Sequence, residues 1–147
     1  MDDDFFALET LIIERVRSQV SELTSVKGLS NLAARPDDIV KPPVGYIMFY
    51  GYEAGGGKDT ELLDGEQVIT QKWLVQLIVK DQDMTHGKQA RVTAGVLLSK
   101  ISAALRVWDG RPAKTSPLTL VTGPLPELDA DGFWSFPLLF KTSFPII

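Results

Sequence analysis

The stretch Gln67-Val68-Ile69-Thr70-Gln71-Lys72-Trp73-Leu74-Val75-Gln76-Leu77-Ile78-Val79-Lys80 decides the fold class. Trp73, Val75, Leu77 and Val79 alternate with Lys72, Leu74, Gln76, Ile78 and Lys80. A period of two places alternate side chains on opposite faces of a strand, so one face is wholly apolar and the other mixed. Upstream, Val44-Gly45-Tyr46-Ile47-Met48-Phe49-Tyr50 begins a second strand that runs to about Tyr52, rich in β-formers and apolar on both faces. Between the two lies a polar, glycine-rich stretch from Glu53 to Glu66, and the pattern predicts an antiparallel hairpin around a long, flexible acidic loop.

Outside the hairpin the period changes to that of helices. Phe5, Leu8, Ile12, Val16, Val20 and Leu23 recur at spacings of three and four, which predicts an amphipathic helix over about Asp4 to Leu23. Leu11 and Ile13 widen its apolar face, and Asp2, Asp3 and Asp4 suit a helix N-terminus. Val26 to Pro43 reads as a connector, because Pro36, Pro42 and Pro43 disfavour regular structure. After a turn at Asp81 to Thr85, Ala90, Ala94, Leu97, Leu98, Ile101, Leu105 and Trp108 form the stripe of a second helix, with Gly110 as its C-terminal stop. Leu118 to Thr122 is a short strand, Asp129-Ala130-Asp131-Gly132 a turn, and Phe133 to Thr142 the last strand. Pro137 in that strand argues for an edge position or a bulge.

The expected order is therefore α-β-β-α-β-β. This is a single α+β domain over residues 1–147, with a four-stranded, mainly antiparallel sheet and two helices packed on one face. The chain length suits one domain with a self-sufficient core.

Composition narrows the chemistry. The chain has no cysteine and one histidine, so disulfides, thiolate nucleophiles and cysteine metal sites are excluded. A net charge of −4 repels phosphate backbones and gives no expectation of specific nucleic-acid binding. The N-terminus lacks the basic and apolar regions of a signal peptide, and no stretch approaches the roughly 18 apolar residues of a membrane span. The expected site of synthesis and folding is a cytoplasm, with no membrane partner.

Gly55-Gly56-Gly57-Lys58 invites a phosphate-loop reading, but the motif requires glycine and Ser/Thr where Tyr52 and Asp59 stand. His86 with Asp81 and Asp83 would make a poor metal group, and helix capping explains the same residues. Asp129-x-Asp131-Gly132 lacks the remaining ligands of a calcium loop and reads as a turn. No catalytic, cofactor-binding or metal residues are assigned. The surplus apolar residues Trp134, Phe136, Phe144, Ile146 and Ile147 instead suggest surfaces that need a partner. The loop residues Glu53, Gly55, Gly56, Gly57, Lys58, Asp59, Glu61 and Asp64 suggest a segment that meets a neighbouring subunit or faces a lumen.

Four segments in order carry a resemblance. They are Leu8-Glu9-Thr10-Leu11-Ile12-Ile13-Glu14-Arg15-Val16, Gln71 to Val79, Ala94-Gly95-Val96-Leu97-Leu98 on to Leu105 and Trp108, and Asp131-Gly132-Phe133-Trp134-Ser135-Phe136-Pro137-Leu138-Leu139-Phe140. Together they resemble the tail-terminator proteins of long-tailed bacteriophages, particularly the branch in Mu-like contractile-tailed phages and prophages. The resemblance implies a cofactor-free structural subunit of the virion tail, assembled in the host cytoplasm. It implies a six-fold ring of copies that caps the tail tube, stops its polymerisation, meets the last sheath ring and offers a surface to the head-side connector, with DNA passing through the ring. The alternatives are a head–tail connector or other tail-completion protein and, in a different class, a small-ligand-binding α+β module.

Overall fold

The structure, a computed structural model, describes residues 5–29, 41–55, 67–81, 87–106, 108, 110–112, 115–129 and 131–146. Among them run α1 (Ala7–Gln19), β1 (Ser25–Gly28), β2 (Val44–Ala54), β3 (Gln67–Lys80), α2 (Lys88–Arg106), β4 (Thr119–Val121), β5 (Glu127–Leu128) and β6 (Phe133–Ile146). The α+β class holds. The sheet, however, has six strands rather than four and is mixed rather than antiparallel throughout. Its order is β1-β2-β3-β6-β4, with β5 also on β6.

The central pairs are as the alternation requires. β2 and β3 pair antiparallel, with Ile47 opposite Val75 and Phe49 opposite Trp73. The hairpin register slips between Phe49 and Tyr52, where Gly51 adopts a φ of 112°. The irregularity places Gly51 at positive φ, which glycine adopts without a Cβ penalty. β3 and β6 pair without a break from Gln67–Ile146 to Lys80–Phe133.

Three corrections have physical causes. The connector after α1 contains β1, which pairs parallel to β2 with Val26 opposite Gly45. Four residues show no usable period, and the partner strand alone makes this segment a strand. The outer edge of β1 is covered by α1: Arg17 Nη2 donates to the Val26 carbonyl at 2.8 Å. Capping an edge carbonyl in this way blocks pairing with another chain. Second, β6 is an interior strand, not an edge. Pro137 is tolerated because β4 pairs with Leu139–Lys141 and β5 with Trp134–Ser135, so the proline falls in the gap between them. Third, β6 continues to Ile146, so most of the apolar tail belongs to the sheet.

Both helices lie on one face, as expected. Leu8, Ile12 and Val16 of α1 and Ala90, Ala94, Leu97, Ile101 and Leu105 of α2 share one core with Ile47, Trp73, Val75, Leu77, Val79, Phe136 and Phe140. Leu11 and Ile13 pack against it half-buried. Arg15 Nε ties the helices together by donating to the Ala104 carbonyl at 2.9 Å. The described α1 is shorter than the apolar stripe, but Val20 and Leu23 still enter the core from beyond its end. Gly110 stands four residues past α2, where an added Cβ would come within 2.6 Å of Trp108 Nε1, so close packing rather than the helix stop explains it.

The opposite face is not bare. Val44, Tyr46 and Ile78 form one small buried cluster, and Met48, Leu74 and Leu139 another. Leu29 packs on both, Phe133 on the first and Val121 on the second. The second apolar face of β2 and β3 is thus covered in part by residues of the same subunit.

Candidate functional site

The hairpin end of the sheet carries the first group of expected site residues. Glu53, exposed near the end of β2, forms an ion pair with Lys72 at 3.5 Å. Gly55 closes the strand pair by donating its N–H to the Val68 carbonyl at 2.7 Å. Its own carbonyl accepts from Gln67 Nε2 at 3.3 Å. Both backbone groups of Gly55 are thus used by the hairpin. Gly56, Gly57, Lys58, Asp59, Glu61 and Asp64 lie outside the described residues.

Beside this end sits an aromatic group that links α1 to the sheet. Phe5 meets Phe49, Tyr52 and Phe144 edge-on, with centroids 5.4–6.3 Å apart. Phe6 meets Phe49 at 5.0 Å. Gln71, fully buried on the apolar face of β3, joins the same region: its Nε2 donates to the Phe5 carbonyl at 2.7 Å. Its Oε1 accepts from Trp73 Nε1 at 3.2 Å. A buried amide satisfied at both ends fixes where α1 begins. The sequence signals it only as a polar residue in phase with Trp73 and Val75.

The second group, the apolar candidates, divides. Phe136 and Phe144 are 7% and 2% exposed and are consumed by the subunit's own core. Ile146 is 37% exposed at the end of β6, and Ile147 lies outside the described residues. Trp134 is half-buried and stacks on Phe136 with centroids 6.1 Å apart. Its ring presses on Gly87, where an added Cβ would come within 2.5 Å of Cζ2. Gly87 also has φ 61°, so both space and backbone demand glycine there. Trp134 Nε1 is buried and has no hydrogen-bond partner among the described residues.

The motifs that suggested metals have structural jobs. Asp81 is buried, and its Oδ2 accepts from the Ala90 N–H at 2.9 Å, capping the first turn of α2 from a distance. Asp129 Oδ1 accepts from the N–H groups of Asp131 and Phe133 at 2.9 and 3.0 Å, which makes the turn into β6. His86 and Asp83 lie outside the described residues. Among the described residues no three His, Cys, Asp or Glu side chains gather as a metal site. No described helix is long and apolar enough to cross a membrane.

Cavities on the described surface are small or open. Two of about 90 and 80 Å³ adjoin on the helix-free face and share Gln76, Glu127 and Ser135. Both fall well below the roughly 300 Å³ of a small-molecule site. A wider recess of about 480 Å³ separates the C-terminal parts of α1 and α2. Glu22 and Lys100 bond across it, and that hydrogen bond, with a backbone one, holds the Glu22 carboxyl below its ordinary range. The described geometry therefore offers surfaces and no enclosed, polar reaction chamber.

Compared with known families, the full chain, residues 1–147, matches the family model described as Phage tail terminator protein. The chain belongs to this family. Among curated proteins none matches its sequence significantly. Membership makes the chain a structural component of the phage tail, and a tail terminator works by contact with other tail components. The surfaces described above are the places to look for those contacts.

Proposed function

We propose that this tail terminator closes into a six-fold ring on the end of the tail tube, halts tube polymerisation and presents the surface to which the head side joins. The observation that carries this reading is the family match over residues 1–147. The surfaces support it in kind. A subunit whose contacts with its copies use two different patches forms a ring when the rotation closes. The exposed residues at the hairpin end, with Ile146 beside them, and those on α2 supply separate patches. In a contractile tail, as in Mu-like phages, the same ring meets the last ring of sheath. The lumen passes DNA, and the chain's net acidity lets the duplex slide without adhering.

The test is electron microscopy of lysates from a phage or prophage lacking this gene. Overlong tail tubes that fail to join heads are expected, and resupplying the chain restores defined lengths. Tails of normal length joined to heads would overturn the reading. Normal-length tails without heads would move the role to a connector.

A further inference from the structure

We infer that the outer face of α2 is the docking site for a second copy of this chain, and that it receives that copy's acidic stretch Glu53–Glu66. This rests on the self-assembly part of the proposed function and names its surfaces.

The face is a single line. Lys88, Val92, Val96, Ser99, Ala103 and Arg106 recur at spacings of three and four, and every one is exposed. Val92 and Val96 are 57% and 58% exposed, on a helix whose inner side is otherwise packed into the core. Ser99 and Ala103 leave room for a partner's backbone to come close. Lys88 and Arg106 stand at the two ends, about 27 Å apart along the axis.

Charge selects the occupant. The α2 sequence contains Lys88, Arg91, Lys100 and Arg106 and no acid. Lys100 is held by Glu22, which leaves the end cations to face a partner. The chain's own stretch from Glu53 to Glu66 holds Glu53, Asp59, Glu61, Asp64 and Glu66 against Lys58 alone. The cations left at the two ends of α2, Lys88 and Arg106, and a stretch of net acidic charge are thus carried by one molecule. Such complementarity steers association and fixes register. Because the two patches differ, the contact is heterologous, the type that can close a ring. Two exposed valines between the cations favour a protein occupant over a phosphate backbone, since burying them gains only against an apolar surface.

The absence of cysteine permits a direct test. Full-length Val96→Cys and Asp64→Cys chains are purified, mixed and exposed to a mild oxidant. The mixed disulfide is expected to form about tenfold faster than either variant's self-disulfide, and to slow as salt screens the charges. Adding Lys88→Glu and Arg106→Glu to the Val96→Cys chain should remove that advantage. Circular dichroism checks that each substituted chain keeps the parent fold. Equal rates for mixed and self-disulfides would overturn the inference. So would a Val96→Cys/Asp64→Cys chain that oxidises within itself and stays monomeric. Charge reversal that abolishes duplex-DNA retention but leaves the mixed disulfide unchanged would overturn it too and make DNA the occupant. Tail length is scored separately: normal tails without the gene would sink the terminator reading, whereas failed crosslinking with overlong tails would sink only this contact.

Discussion

Leu77 and Leu74 are the same residue type on the same strand, both fully buried, yet they face different surroundings. Leu77 lies in the large core that β3 shares with both helices. Leu74 lies in a small cluster with Met48 and Leu139, flanked by Leu29 and Val121. One sheet thus has a thick side built by helices and a thin side built by the strands' own residues with Leu29. The difference teaches that an apolar strand face is no sign of a missing partner when neighbouring strands and a single residue beyond β1 cover it.

The comparison can be broken by mutation. Leu77→Ala is expected to cost about 4 kcal/mol and Leu74→Ala about 2–3 kcal/mol in urea unfolding, because the cavity left under two helices collapses less readily than one in the small cluster of the thin side. Equal costs would show that both faces are packed alike. Gly87→Ala tests the junction between the end of β3 and α2, where positive φ and the Trp134 ring coincide. A loss of about 1–3 kcal/mol is expected, and quenched or shifted tryptophan fluorescence should accompany it. Asp81→Ala removes the side-chain cap of α2 on the thick side, with an expected loss of about 1 kcal/mol.

The smallest effect belongs to Glu22, exposed at the surface between the helices. Its carboxyl titrates below the ordinary value of 4.5 because Lys100 bonds to it. A lowered folded-state pKa stabilises above the unfolded value, and the benefit fades as pH falls through the folded one. Glu22→Gln should therefore separate slightly from the parent at neutral pH and low salt, and merge with it in acid or concentrated salt. A difference that persists in acid would mean that something other than the ion pair is lost.

The candidate surfaces were legible to different degrees. Glu53 and the glycine run declare an exposed polar segment through composition, and the described part, Glu53 to Gly55, fits the end of a hairpin. The outer line of α2 was equally present in the sequence. The eye follows the buried stripe of a helix first, and Val92 and Val96 stand out only once their exposure is known. Phe136 and Phe144 show the reverse case. They share a strand face with Trp134, but no spacing rule says whether helices or a partner will cover that face.

The sequence by itself determined the parts whose signal is local. The period of two in Gln67–Lys80, the period of three and four in both helices and the Asx turn at Asp129 each depend on neighbours within a few residues. It also excluded thiol chemistry and left a single histidine. Tertiary structure alone decided the rest, through contacts distant in sequence. β1 exists because β2 offers it a parallel edge, and Pro137 is interior because β4 and β5 part around it. Gln71 is satisfied because α1 delivers the Phe5 carbonyl to it. The residues of the thin face are buried because Leu29, Val121 and Phe133 pack beside them. Pairing, burial and polar satisfaction are properties of two partners at once, and a strand or side chain carries only its own half of that information.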